Sequence, residues 1–256
     1  GLIDNKDVPA IIFSTFKGYQ YTSDGVLRAV RGDNGQEIFT VTNPSYRTRP
    51  SASLAVGDID NDGLVEIVAA RSSGGFIAFE HNGTYKYQST YGAYVGYGGP
   101  SIADIDEDGS PEIIVEGAVF SSNLTFRWQG YSRRGMNGFS SGALSLVANI
   151  DMEGHPEIVA GNTVYRSDGS ILWQNVNVGD GFDAVANFDD DPYPEIVVVS
   201  WGRVYLLDHT GQIKWGPVVI PGGGNTRGGG PTVADFDGDG NPDIGVAGAY
   251  RYVVFK

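Results

Sequence analysis

One short acidic motif returns along the chain and narrows what the chain can fold into. "GDIDNDGLVEIVAA" begins at Gly57, "ADIDEDGSPEIIVE" at Ala103, "ANIDMEGHPEIVAG" at Ala148, "ANFDDDPYPEIVVV" at Ala186 and "ADFDGDGNPDIGVA" at Ala234. An eroded copy, "GLIDNKDVPAIIFS", opens the sequence, with Asp4, Pro9 and Ile11 in register but Lys6 and Ala10 where acids stand elsewhere. The third-position aspartates (Asp4, Asp60, Asp106, Asp151, Asp189, Asp237) are 56, 46, 45, 38 and 48 residues apart. A period of that length is a supersecondary unit of about four strands, as in a propeller blade.

Each unit repeats one local grammar. A short apolar strand ("SLAV", "PSIA", "LSLVA", "DAVA", "PTVA") ends in a small residue, Gly57, Ala103, Ala148, Ala186 or Ala234, as crowded inner strands require. The acidic loop follows, then a β-branched run such as "EIVAA" or "EIVVV". Two further strands are joined by Asn34-Gly35, Asn82-Gly83, Asp168-Gly169 or Thr210-Gly211, and Asn-Gly and Asp-Gly are strong hairpin signals. No stretch sustains a 3.6-residue period, so essentially no helix is expected. The reading is an all-β chain, a β-propeller of four-stranded antiparallel blades forming one domain over residues 1–256. Six blades are expected, with five, or part of seven, as alternatives. The first unit starts inside its loop and the last stops after "YRYVVFK", so both terminal blades are expected to be incomplete. Either residues lie outside this chain, or a neighbouring molecule supplies a strand through those blades.

Crowded carboxylates repel unless a cation sits among them. In the first loop the acids fall at positions 1, 3, 5 and 9: Asp58, Asp60, Asp62 and Glu66. Alternate residues of a tight loop can turn their oxygens inward, a carbonyl at position 7 can join them, and glycine at position 6 permits the bend. Ca²⁺ wants six to eight such oxygens, whereas Mg²⁺ demands stricter octahedral geometry and keeps its waters. Asp104, Asp106, Asp108, Glu112 and Asp235, Asp237, Asp239, Asp243 match fully, giving three full Ca²⁺ sites. Asn149, Asp151, Glu153 and Glu157 form a weaker set, because Glu at position 5 is longer. Asn187, Asp189, Asp191 and Glu195 carry Pro192 in place of the glycine, and proline cannot take a positive φ, so that site is expected to be absent or reshaped. The eroded copy should be empty, with Lys6 in the cation's place. These positions hold eighteen of the thirty-one acids, leaving thirteen against seventeen basic residues. The net charge of −14 is therefore a metal-loading signature. It also argues against nucleic acid as a partner.

At these residues the sequence resembles the FG-GAP/VCBS repeat family, the propeller repeats also found in integrin α-subunit heads. The stretches that carry it are "AVGDIDNDGLVEIV", "ADIDEDGSPEII" and "VADFDGDGNPDIGV". The resemblance implies a Ca²⁺ ion in the loop joining strands 1 and 2 of a blade, on one face of the disc. Relatives serve as lectins, adhesion heads and non-catalytic parts of secreted enzymes and surface proteins.

The loops on the opposite face are long and aromatic. They gather Tyr46, Arg47, Arg49, Tyr94, Tyr97, Arg133, Arg134, Phe139, Asp183 and Arg227. Rings beside Arg and Asp suit a glycan or a protein partner. Arg31-Gly32-Asp33 sits where other units place a hairpin turn, and turn chemistry explains it. Trp128, Trp173, Trp201 and Trp215 fall in strand-like stretches and read as blade packing. Every close carboxylate pair belongs to a metal loop, so no catalytic constellation is expected. Cysteine is absent, which excludes disulfides and thiolate chemistry. No apolar run approaches the roughly 20 residues that span a bilayer. The functional expectation is an extracellular or cell-surface, Ca²⁺-stabilised binding, adhesion or assembly module. A self-assembling surface filament or layer subunit and a part of a secreted polysaccharide-degrading enzyme are the alternatives.

Overall fold

In a computed structural model, which describes residues 8–92, 95–115, 117–130, 144–221 and 228–256, twenty-two strands form six antiparallel sheets. The first sheet is β1 (Ala10–Thr15), β2 (Val26–Arg31) and β3 (Glu37–Thr40). The second is β4 (Ala55–Gly57), β5 (Glu66–Ala70), β6 (Phe76–Phe79) and β7 (Tyr85–Gln88). The third is β8 (Ser101–Ala103), β9 (Glu112–Val115), β10 (Ala118–Phe120) and β11 (Phe126–Gln129). The fourth is β12 (Leu146–Ala148), β13 (Glu157–Ala160), β14 (Thr163–Tyr165) and β15 (Ile171–Gln174). The fifth is β16 (Phe182–Ala186), β17 (Glu195–Ser200), β18 (Arg203–Leu207) and β19 (Ile213–Val219). The sixth is β20 (Thr232–Ala234), β21 (Asp243–Ala247) and β22 (Tyr252–Phe255). Four sheets have four strands in simple sequence order and the first and last have three, the incomplete terminal blades the repeat pattern implies. These are the blades of a β-propeller, and the only helical piece among the described residues is a single 3₁₀ turn at Pro44–Tyr46. No helix among the described residues is long and apolar enough to cross a membrane.

The chain divides into two compact units, 1–128 and 129–256, of three sheets each. Within a unit, neighbouring sheets share a core. Val68, Ala70, Phe76 and Ala78 of the second sheet meet Ile113, Val115 and Phe120 of the third. Ile196 and Val198 of the fifth meet Val159 and Val164 of the fourth. Strands lying between two such cores are buried on both faces, which explains why β5 and β17 read as continuous apolar runs. The small residue ending each first strand has its reason too: a Cβ on Gly57 would stand 3.3 Å from Ile102 on the adjoining β8.

The hairpin turns between third and fourth strands are Asx turns, with Asn34, Asn82, Asn123 and Asp168 accepting from the backbone two residues on at 2.8–3.0 Å. Gly35, Gly83, Gly169 and Gly211 take the left-handed position, and in the third sheet Leu124 takes it at φ 63°. Leu124 has no dipeptide signature; its side chain is buried in the core shared with the second sheet.

Candidate metal loops

The five acidic loops share one scaffold, whose anchor is the position-9 acid. Glu66, Glu112, Glu157, Glu195 and Asp243 are all buried. Each opens its second strand and reaches back to the loop. One oxygen accepts the backbone N–H of position 2, from Ile59 (2.9 Å), Ile105 (3.1 Å), Ile150 (2.7 Å), Phe188 (2.7 Å) and Phe236 (3.0 Å). Desolvation pushes the carboxyls of Glu66, Glu112 and Glu157 above their ordinary range, opposed by those N–H groups.

Position 1 ties the bend. Asp58 accepts from the N–H groups of Asp62 (3.2 Å) and Gly63 (2.9 Å), and Asp104 from Asp108 (3.2 Å) and Gly109 (2.9 Å). Asp235 does the same with Asp239 (3.1 Å) and Gly240 (2.9 Å). Position 5 then accepts from position 7, as Asp62 does from Leu64 at 2.8 Å. This geometry needs positive φ at positions 4 and 6: Asn61 and Gly63, Glu107 and Gly109, Met152 and Gly154, Gly238 and Gly240 all have it. The loop with Pro192 has neither and closes differently. Asn187 donates its amide to the Asp191 carbonyl (2.6 Å), and Asp189 accepts from the Asp191 N–H (2.9 Å).

The result is converging oxygen. Asp58, Asp60 and Asp62 bring carboxylate oxygens within 4.8 Å of one another, as do Asp104, Asp106, Asp108; Asp189, Asp191, Glu195; and Asp235, Asp237, Asp239. Asp62 and Glu66 form a further such trio with Glu80. The acids of the third loop, Asp151, Glu153 and Glu157, are not among these clusters. Two buried oxygens in the loops, Asp106 Oδ1 at position 3 and Asn149 Oδ1 at position 1, lack a hydrogen-bond partner. An orphaned hard oxygen among clustered carboxylates, as Asp106 Oδ1 is, makes a donor set suited to Ca²⁺.

Cations lie against the same acids. Lys86 Nζ, on a side chain 8% exposed, pairs with Asp60 (2.7 Å), Glu66 (3.3 Å) and Glu80 (2.9 Å). Burial pulls its pKa down, but the bonds to Asp60 and Glu80 outweigh it and hold the amine well above its ordinary range. Arg127 pairs with Glu112 (2.6 Å) and Asp106 (2.8 Å). Lys214 pairs with Glu195 (2.9 Å) and Asp189, and Lys256 with Asp237.

The family described as FG-GAP-like repeat matches residues 58–115 and 187–246, two segments that each start at position 1 of a loop. FG-GAP-like repeats thus occupy these two segments. A search of curated protein sequences finds no match. Among solved structures, these FG-GAP-like repeats are similar to the biofilm matrix protein Bap1 of V. cholerae, with TM-score 0.69 and 29% identity over 83% of this chain and 36% of that one. The chain thus spans about a third of Bap1's length. An exotype rhamnogalacturonan lyase, YesX, is similar at TM-score 0.50 and 16% identity over 89% of this chain and 62% of that one, a likeness of fold.

Four of the long-loop residues, Tyr46, Arg47, Arg49 and Asp183, are engaged within the protein. Arg47 pairs with Asp24 at 3.0 Å, and Arg49 donates to the Gly96 carbonyl at 2.9 Å. Asp183, expected to face a ligand, is buried. One oxygen takes the Gly161 N–H at 2.6 Å and the other has no partner. Tyr46 stacks on Tyr85 and belongs to blade packing. Tyr97 is exposed beside Tyr21. Tyr94, Arg133, Arg134, Phe139 and Arg227, like Asp4 and Lys6, lie outside the described residues. The Arg31-Gly32-Asp33 turn is closed on itself, Arg31 donating twice to Asp33 at 3.0–3.1 Å.

Two features escaped the sequence reading. Trp201 is in a turn, not a strand. It stands 58% exposed with φ 50°, in a bend between second and third strands where the fourth sheet has Gly161. The loop cations were missed as well, because they belong to another strand. Lys86 and Lys214 are extra residues at a bulge, flanked by the pairs Phe79–Tyr85 and Ala78–Tyr87, and Leu207–Ile213 and Leu206–Trp215. A bulge re-aims a side chain, and only the faint alternation "YKYQ" and "IKWG" marks it in the sequence.

Proposed function

We propose that this chain is a non-catalytic, extracellular binding or adhesion module whose blades are held by Ca²⁺ and whose partner is a glycan or another matrix component. The observation that carries the metal reading is the converging set of carboxylate oxygens in four loops, joined by the orphaned Asp106 Oδ1. Asp58, Asp60 and Asp62 and their counterparts would hold the ion. Its charge would turn the mutual repulsion of those acids into attraction at the bend that joins the first two strands of a blade. Extracellular modules with such loops bind at about 10⁻⁴ to 10⁻³ M, which suits a calcium-rich exterior. The third loop has fewer acids and the Pro192 loop is reshaped, so these two would bind least.

Adhesion is supported by the likeness to a biofilm matrix protein at 29% identity, with this chain spanning 36% of that protein. The exposed indole of Trp201 adds a flat apolar surface of the kind that sugar rings stack on. Thermal unfolding in EDTA against millimolar calcium chloride tests the metal reading: Tm should fall on chelation, and an unchanged melt refutes it. Retention on immobilised polysaccharides, set beside assays for their degradation, tests the binding reading. Degradation by the purified chain would overturn the non-catalytic assignment.

A further inference from the structure

The acidic loops do not face a metal alone; four of the five are paired with a protein cation drawn from one of two positions. The first position is the bulge at the start of the fourth strand, occupied by Lys86, Leu172 and Lys214 at the register shifts, and by Arg127 at the same step of β11. The second is the residue that follows the third strand, one step beyond the last ladder pair: Glu80, Ser121, Arg166, Asp208 and Lys256. Where the bulge holds Lys or Arg, the second position is acidic or neutral. Where the bulge holds Leu172, the second position is Arg166, whose charge acts on Glu157. The last blade has Lys256, paired with Asp237. Four of the five loops thus have a paired cation, although the residue supplying it changes, and in the blade with Leu172 the second position holds Arg166.

The contacts show what that cation does. The position-9 acid gives one oxygen to the backbone and, in three blades, the other to the cation: Glu66 Oε1 to Lys86, Glu112 Oε1 to Arg127, Glu195 Oε1 to Lys214. The same cation also binds position 3: Asp60, Asp106 or Asp189. Position 9 is therefore fully engaged without any metal, and a buried carboxylate that would otherwise be unpaired is neutralised.

Building on the reading of these loops as calcium sites, we propose that the bulge cation is a resident counter-ion that substitutes for the metal. It keeps positions 3 and 9 in place in the metal-free protein, and it opposes the metal electrostatically once the metal binds. The cation thereby sets how strongly each blade depends on calcium. Lys86 is a positioning residue in this scheme, and its loss should make the blade less stable without metal but more responsive to it.

The test is Lys86→Met, with Lys86→Arg as the charge-conserving control, each melted in EDTA and in calcium chloride and titrated with calcium by isothermal calorimetry. Lys86→Met should lower Tm in EDTA, enlarge the calcium-induced rise in Tm, and tighten calcium binding at one site roughly tenfold, the effect of removing a neighbouring unit charge even in a water-like dielectric. Lys86→Arg should restore wild-type behaviour in all three. An equal fall of Tm in both buffers, with unchanged calcium affinity, overturns the inference and leaves Lys86 a packing residue. Absence of calcium uptake by the unaltered protein overturns the calcium reading itself, a distinct result from uptake without coupling. If Lys86→Met does not fold, Arg127→Met asks the same question at the fully matching loop of Asp104, Asp106 and Asp108, from a side chain 33% exposed.

Discussion

Asp183 gives the sharpest quantitative expectation. It lies on β16 opposite Val198, with one oxygen accepting the Gly161 N–H at 2.6 Å and the other buried without a partner. Burial, and after it the charge of Asp180, pushes its carboxyl well above the ordinary range, against the pull of the Gly161 N–H. The sign follows from linkage. A carboxyl raised in the folded state keeps its proton to higher pH than in the unfolded chain. Its contribution to stability is therefore fully present below the ordinary aspartate value, about pH 3.9, and is lost as pH rises toward the raised value. Within that window the loss is up to ~1.4 kcal/mol per pH unit, or about 3–5 °C in Tm for a chain of this size. Asp183→Asn copies the neutral acid: the amide carbonyl keeps the Gly161 contact and nothing titrates. The variant should match the wild type below about pH 3.9 and become progressively more stable than it up to the raised value, with the gap constant above. Thermal unfolding of both proteins from about pH 3.5 to about 8 at fixed calcium measures that gap. Parallel curves, or a variant less stable at pH 7.5, would refute the assignment of an unpaired buried carboxyl.

Two further outcomes are open to direct measurement. Phe120 is fully buried with Phe76 and Phe126 edge-on at 5.5 and 5.7 Å, so Phe120→Ala should cost about 3–5 kcal/mol, and a denaturant midpoint that hardly moves would contradict a core shared by the second and third sheets. Trp201→Gly relieves a left-handed backbone that costs a bulky residue roughly 1–2 kcal/mol; Tm should hold or rise while retention on polysaccharide falls, and a loss of stability instead would assign the indole to packing.

The strand plan was legible because it follows from local chemistry. Alternating turn residues, β-branched runs and a fixed period leave a chain little choice but repeated antiparallel sheets, and small residues before each loop already signal close approach of inner strands. Converging oxygens at Asp58, Asp60 and Asp62 were legible for the same reason: they are neighbours in a tight bend, and glycine at position 6 licenses its φ. Proline at 192 likewise announced a different closure. What the linear order does not contain is which distant groups meet. Lys86 is twenty-six residues from Asp60, and only the pairing of β6 with β7, and the bulge within it, carries its amine to the loop. Asp183 reads as a polar residue open to a ligand at the edge of the strand "DAVA", yet strand pairing and the close approach of Gly161 bury it. Trp201 reads as a strand residue, yet the register of β17 with β18 leaves it at the exposed tip of a turn. Local backbone preference decided the elements; burial and charge pairing, which depend on contacts between strands far apart in sequence, were decided only when the sheets came together.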